Sequence, residues 1–258
     1  MNTLTMLLYC GYKYITNIKS IKDNNNRYLS PNFMRWLIDE EKKVLFFNNP
    51  KVACTSIMAS MFNCLDVPDR DSMVQKHLFG TKYVIHKLPK NLDEYYKFGF
   101  VRNPFARLVS FWENRYENNI LKNNAMNNLE GYLKYANSFE DLVYKISKIP
   151  SFMFEPHFAL QYPNFYRNKK CIVDFIGKFE TIEEDYKPIQ EKFNFVPLPH
   201  FNKTEKTKKW QDYYTLKTVK LVYKIYKQDI MLFNYEKDYN ELLEYIKSKN
   251  QNAENSAS

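Results

Sequence analysis

From Lys43 onward the apolar positions of the chain follow two rhythms in turn. Short β-branched or aromatic runs, "KVLFF" (43–47), "YVIH" (83–86), "KFGFV" (97–101) and "CIVDFIGKF" (171–179), read as strands. Between and after them lie stretches of helical period: one from about Thr55, one from Pro104, one from about Ile182, and a long final one from Leu216 to Phe233 with apolar positions on more than one face. In "TSIMASMFNCLDV" the residues Ile57, Met58, Met61, Phe62 and Leu65 recur at helical spacing. Phe105, Leu108, Val109 and Trp112 do the same further on, with Asn103 placed to cap and Pro104 at the first helical position. Strand and helix in alternation predict an α/β layer fold with a mainly parallel sheet, whose strand-to-helix junctions point toward one sheet edge.

The flanks carry less pattern. Residues 1–40, which include the polar run "KDNNNR", read as an N-terminal extension, residues 41–245 as one domain, and residues 246–258 as a polar tail without structure. The Asn-rich stretch 117–137 reads as a loop or a loosely packed helical insertion. No internal repeat is present, and no linker divides the chain.

Composition narrows the class. A chain of 258 residues, 45% of them apolar, is ample for a continuous core. The formal charge of +9 favours an anionic partner, but lysine is scattered among Asn and Tyr along the whole length, as on a solvated surface, so nucleic acid is not the expected partner. Cys10, Cys54, Cys64 and Cys171 form neither a paired zinc motif nor a dense disulfide framework. They read as reduced thiols in a cytoplasmic protein. The apolar patch Leu4–Tyr9 lacks a preceding basic region and a cleavage site, and no segment reaches the roughly 18 uncharged apolar residues a membrane span needs, so a soluble protein is expected.

The chemistry gathers at two junctions. In "FNNPKVACTSI" an apolar strand leads through a short loop into a hydroxyl pair that opens a helix, the outline of a phosphate-binding turn, yet the stretch contains no glycine. The Lys51 ammonium, the N–H groups of Cys54, Thr55 and Ser56, and the two hydroxyls can together meet an oxyanion at a helix N-terminus. A surface lysine followed by an ordinary Thr or Ser cap is the competing reading. In "VRNPFARLVS" Arg102 ends a strand, and Ser110 lies about two turns into the next helix. The planar guanidinium suits a phosphate dianion, although an arginine anchored on backbone carbonyls has the same sequence. Two such junctions at one edge fit a nucleotide phosphorylated at both its 3′ and 5′ positions.

"PKVACTS" and "FVRNPFARLVSFW" resemble the 5′-phosphosulfate and 3′-phosphate motifs of the carbohydrate sulfotransferases, above all the chondroitin and HNK-1 type. "CIVDFIGKFETIEEDY" and "YKQDIMLFNY" resemble later segments of that family, so the likeness spans about Lys43 to Tyr239. It implies a P-loop-like three-layer α/β sandwich with a mainly parallel central sheet and, as donor, 3′-phosphoadenosine 5′-phosphosulfate (PAPS), which leaves as adenosine 3′,5′-bisphosphate (PAP). On this resemblance Lys51 contacts the phosphosulfate and its bridging oxygen, Ala53, Cys54, Thr55 and Ser56 wrap the 5′-phosphate, and Arg102 with Ser110 holds the 3′-phosphate. "FNKTEK" resembles a loop that closes over the cofactor, which adds Asn202, Lys203 and Thr204.

Four histidines compete for the role of general base. His86, in "YVIHKLPKNL", is similar in position to the base of the heparan sulfate 2-O and 6-O relatives. His157, in "FEPHFALQ", resembles the family's acidic-x-His-Trp-x-Pro-Gln segment, with Phe158 and Leu160 in place of Trp and Pro. His77 and His200 match no motif. The carboxylates of "EEDY" (183–186) read as favourable charges in the first turn of a helix. The implied reaction passes a sulfonate to a hydroxyl of a carbohydrate acceptor, and it calls for no metal, because Lys51 and helix N–H groups can neutralise the leaving phosphate. Its rivals are a kinase with a degenerate P-loop, a basic nucleic-acid-binding module, and a glycan-binding relative without catalysis.

Overall fold

A computed structural model describes residues 36–63, 83–85, 87–117, 133, 135–151, 154–199 and 208–257. The strands are β1 (Trp36–Asp39), β2 (Val44–Phe47), β3 (Val84–Ile85), β4 (Tyr96–Val101), β5 (Tyr166–Arg167), β6 (Lys170–Cys171) and β7 (Phe175–Lys178). The principal helices are α1 (Cys54–Met61), α2 (Pro104–Trp112), α3 (Phe139–Ser147), α4 (Ile182–Phe193), α5 (Leu216–Leu232) and α6 (Glu236–Ala257). These described residues gather into two compact units. One holds the described parts of 29–102 and 163–205, the other those of 103–162 and 206–258.

In the first unit the strand order is β3-β1-β2-β4-β7, with β2, β4 and β7 parallel and β1 antiparallel to both of its neighbours. The expected mainly parallel α/β sheet is present, with β1 as its reversed strand. Pairing of Phe47 with Gly99 brings the C-terminal ends of β2 and β4 to one edge. Every residue of β2 is fully buried, which explains why its sequence is an unbroken apolar run and not an alternating one. On one face Leu37, Val44, Phe46, Phe98 and Phe100 meet Ile57, Met58 and Met61 of α1 and Tyr186 and Ile189 of α4. On β4, glycine is required at position 99, because a Cβ there would stand 2.3 Å from Cε1 of Phe165.

The second unit is helical. The Asn103 side chain accepts from the N–H groups of Phe105 (2.9 Å) and Ala106 (3.3 Å), and Pro104 follows it, as the sequence predicts. Ser138 caps α3, and Thr215 with Thr218 forms a reciprocal capping box on α5. Three buried side chains of this unit turn to one irregular segment. Arg107 donates to the carbonyls of Ala159 (2.6 Å) and Pro156 (2.8 Å), Tyr226 donates to that of Phe158 (2.6 Å), and Asp229 accepts from the N–H groups of Gln161 (2.8 Å) and Tyr162 (2.9 Å). Among the described residues no helix is long and apolar enough to cross a membrane.

Several boundaries differ from the sequence reading. Trp36–Asp39, inside the stretch read as an unpatterned extension, is a sheet strand, too short at four residues to show a period. "CIVDFIGKF" is not one strand: Asp174 breaks it, accepting from the Lys97 ammonium (2.9 Å) and the Lys97 N–H (2.7 Å) on β4. Leu216–Leu232 is not the final helix. Residues 246–257, read as an unstructured tail, continue α6, whose buried positions Leu242 and Ile246 lie one turn apart. Beyond Ile246 the described side chains are exposed, so no apolar pattern marks that last part; backbone hydrogen bonds and exposed polar contacts such as that of Lys249 with Asp212 carry it. The division into two units also departs from the undivided chain read from the sequence. At one of its crossings β4 passes directly into α2 across Arg102 and Asn103.

Full burial pushes the Asp229 carboxyl up to about 6, against the pull of its two backbone N–H donors and Arg107. A raised carboxyl pKa means that the folded state holds the proton more tightly than the unfolded one, so this group's contribution is greatest at low pH and is lost as pH rises from about 4 through about 6. The expected loss is about 3 kcal/mol for a shift of this size. In urea titrations at several pH values, the stability of wild type relative to Asp229→Asn should fall by that order between pH 4 and 7. Parallel pH curves for the two proteins would contradict the assignment.

Candidate active site

The loop from β2 to α1 solves by other means the problem that glycine solves elsewhere. Lys51 (φ 73°) and Ala53 (φ 60°) both adopt the left-handed conformation that glycine enters without strain. Such residues cost on the order of 1–3 kcal/mol each and persist only where the surroundings hold them. Here the surroundings are side chains from elsewhere in the same unit. Asn164 Nδ2 donates to the Asn48 carbonyl (3.0 Å), and Arg102 Nη1 donates to the Lys51 carbonyl (3.1 Å). The buried Asn49 donates from Nδ2 to the Phe100 carbonyl on β4 (3.1 Å), while its own carbonyl accepts from the Cys54 thiol.

The helix that follows is oriented for an anion. Ala53 at its cap offers no side-chain hydrogen bond, and the first turn contains no acidic residue, so its positive end is not neutralised from within. Thr55 is half-buried, whereas Ser56 is 5% exposed and faces inward. The Arg102 guanidinium lies over the Phe179 ring, 4.2 Å from its centroid, which fixes its plane. Lys51, Ala53, Cys54, Thr55, Ser56 and Arg102 therefore stand together in one unit, at the shared C-terminal edge of β2 and β4. The competing view of Arg102 as a carbonyl anchor is also partly realised, since the carbonyl it holds is that of Lys51.

The other candidates separate. Ser110 is half-buried on α2 in the helical unit. His157 belongs to that unit as well. Its Nδ1 is hydrogen-bonded to Glu155 Oε1, and Arg115 Nη2 lies 3.5 Å from the same carboxylate oxygen and 3.3 Å from Nδ1. His86, Asn202, Lys203 and Thr204 lie outside the described residues, as do His77 and His200. Ile85, which precedes His86 in the chain, is level with Trp36, and Trp36 with Phe47, so β3 ends where the β2 loop begins. Of the acidic run, Glu183 and Glu184 are exposed, and Asp185 accepts from the Lys178 N–H (2.7 Å) and the Thr181 hydroxyl (2.9 Å). That is a structural role. Sequence reasoning missed Asn49, Asn164, Arg115 and Glu155. Of these only Glu155 had a signal, the acidic residue two places before His157.

Comparison with known proteins gives relatives along most of the chain. Mouse carbohydrate sulfotransferase 11 is 24% identical over 257 residues, an alignment covering 84% of this chain and 71% of that protein. Carbohydrate sulfotransferase 12 from Xenopus laevis is 24% identical over 298 residues, covering 91% and 67%. Its mouse counterpart is 26% identical over 262 residues, covering 79% and 60%. No solved structure is a significant match. The model of the Sulfotransferase family matches residues 34–236, a span that takes in the glycine-free loop, Arg102, Ser110 and His157, and the chain belongs to that family of enzymes.

Proposed function

We propose that this protein transfers a sulfonate group from PAPS to a hydroxyl of a carbohydrate. The observation that carries the reading is the loop after β2, where two left-handed residues without glycine are fastened from outside, and Arg102 ties the Lys51 carbonyl to the end of β4. Its donor set, an ammonium, a guanidinium and a helix start without acidic residues, is the chemistry of a phosphate site. The residues present fit the donor: Ala53 to Ser56 would surround its 5′-phosphate, Lys51 its bridging oxygen, and Arg102 its 3′-phosphate. The assignments of Ser110, Asn202, Lys203 and Thr204 rest on the family motifs alone. The carbohydrate acceptor is supported by the names of the relatives, and the positive balance of the chain suits an anionic one.

PAPS, when bound, supplies the sulfonate and carries away the electron pair of the broken S–O bond as PAP. The protein's own part is to position the acceptor and take its proton while Lys51 balances the charge growing on the leaving phosphate. A histidine is the base. His86 is favoured by the register that places Ile85 at the edge of the loop, and His157 by the carboxylate fixed to its ring. The second observation is the more direct, because it concerns the imidazole itself.

Four measurements test this reading. By calorimetry, PAP should bind more tightly than ATP or nucleic acid, and sulfate from labelled PAPS should appear on at least one member of a panel of oligosaccharides and polysaccharides. Failure of both would overturn the proposal. Lys51→Ala should lower turnover about a hundredfold or more, the roughly 3 kcal/mol typical of one contact made where charge develops, with the fold intact. Unchanged turnover at saturating PAPS would remove Lys51 from the site. Arg102→Ala should erase the preference for PAP over 5′-AMP, with Arg102→Lys restoring it poorly because an ammonium lacks the planar fork. Equal discrimination in wild type and variant would refute the 3′-phosphate role.

A further inference from the structure

We infer that Glu155 and Arg115 are positioning residues that make His157 a base through its Nε2 nitrogen. The inference rests on the sulfonate-transfer reading above and assigns the groups that set the ring. An ionised carboxylate only accepts hydrogen bonds, so its contact with His157 Nδ1, closer than that of the Arg115 donor to the same nitrogen, favours the proton on Nδ1. In the neutral ring the lone pair is then on Nε2, the nitrogen that can take the proton of an acceptor hydroxyl. Arg115 flanks the pair, with Nη2 3.5 Å from Glu155 Oε1 and 3.3 Å from His157 Nδ1, and its guanidinium pairs with the carboxylate. Exposure runs in the matching direction: the His157 side chain is 34% exposed, those of Glu155 and Arg115 only 17% and 15%. The imidazole thus meets solvent while its two supports are recessed.

The turn that carries the pair is fixed as well. The Glu155 carbonyl accepts from the N–H groups of Phe158 (3.0 Å) and Ala159 (2.8 Å), which closes a tight turn around His157. Beneath it Arg107 holds the Pro156 and Ala159 carbonyls, Tyr226 holds that of Phe158, and Asp229 holds the N–H groups of Gln161 and Tyr162. A ring on a loop keeps one tautomer only when both the backbone and the partner carboxylate are held, and here both are. In the reaction the hydroxyl O–H bond breaks, its proton passes to Nε2, and the oxygen forms the new bond to sulfur as the sulfur–oxygen bond to the phosphate breaks.

The decisive comparison uses Glu155→Ala, the isosteric Glu155→Gln, His157→Ala and the double variant Glu155→Ala/His157→Ala. Each is measured by single-turnover sulfate transfer and by PAP binding, and for the proteins that retain His157 the ring-nitrogen NMR signals are recorded. The expected result is a loss of roughly 10²- to 10⁴-fold in transfer rate for His157→Ala and for Glu155→Ala, PAP affinity within about twofold, and a double variant no slower than His157→Ala alone. In wild type the neutral ring should carry its proton on Nδ1, and in Glu155→Ala it should shift toward Nε2. Three results would overturn the inference: full transfer activity in both Glu155 variants, multiplicative losses in the double variant, or a wild-type ring protonated on Nε2. Loss of PAP binding in both Glu155 variants would also overturn it, by showing a purely structural role. If wild type transfers no sulfate at all, the sulfonate-transfer reading fails, while the NMR signals still report whether Glu155 sets the tautomer.

Discussion

The parallel pairing of β2 with β4 is the constraint on which the candidate phosphate site depends. It brings the ends of two strands, and hence Lys51 and Arg102, far apart in sequence, to a single edge. It also supplies the Phe100 carbonyl that receives the Asn49 side chain. Parallel strands buried on both faces are held by continuous apolar side chains; β2 is built of nothing else, and β4 contributes Phe98, Phe100 and Val101. The apolar core and the polar loop are therefore parts of one arrangement: the buried phenylalanines fix the strands, and the strands fix the donors.

The helical unit handles polarity differently. Arg107 and Asp229 are almost wholly buried, a position in which charges are expensive unless paired and hydrogen-bonded. Their partners are mainly peptide groups of residues 156–162, a stretch with little regular hydrogen bonding of its own. Buried backbone must find partners somewhere, and these side chains meet that need where neither helix nor sheet does. The upward shift of Asp229 shows the residual cost of its burial.

Much of the frame was legible because it obeys short-range rules. The runs at 43–47 and 97–101 and the helices from Thr55, Pro104 and Ile182 follow from period, cap and proline placement, and each is present within a residue or two. Lys51 and Arg102 were legible because each sits at a strand end before a helix. What escaped notice is held by long-range contacts that leave no period. Asn164 on Asn48, Arg115 beside Glu155 and Lys97 on Asp174 join residues that no local window contains. The four-residue β1 and the exposed end of α6 escaped for the opposite reason, since neither has enough buried positions to make a pattern.

The glycine-free loop has a consequence for how such a protein can vary. A glycine-rich cradle stores its shape in its own residues and can be moved from one sheet to another as a cassette. Here the shape of residues 48–53 is stored in Arg102, Asn164 and the Phe100 carbonyl, all outside the loop. Slipping β4 by one residue against β2 would turn its side chains to the opposite face and carry Arg102 and the Phe100 carbonyl out of reach together. Loop and sheet register must be inherited as a unit, and a search for nucleotide-binding loops that looks for glycines would pass this one by.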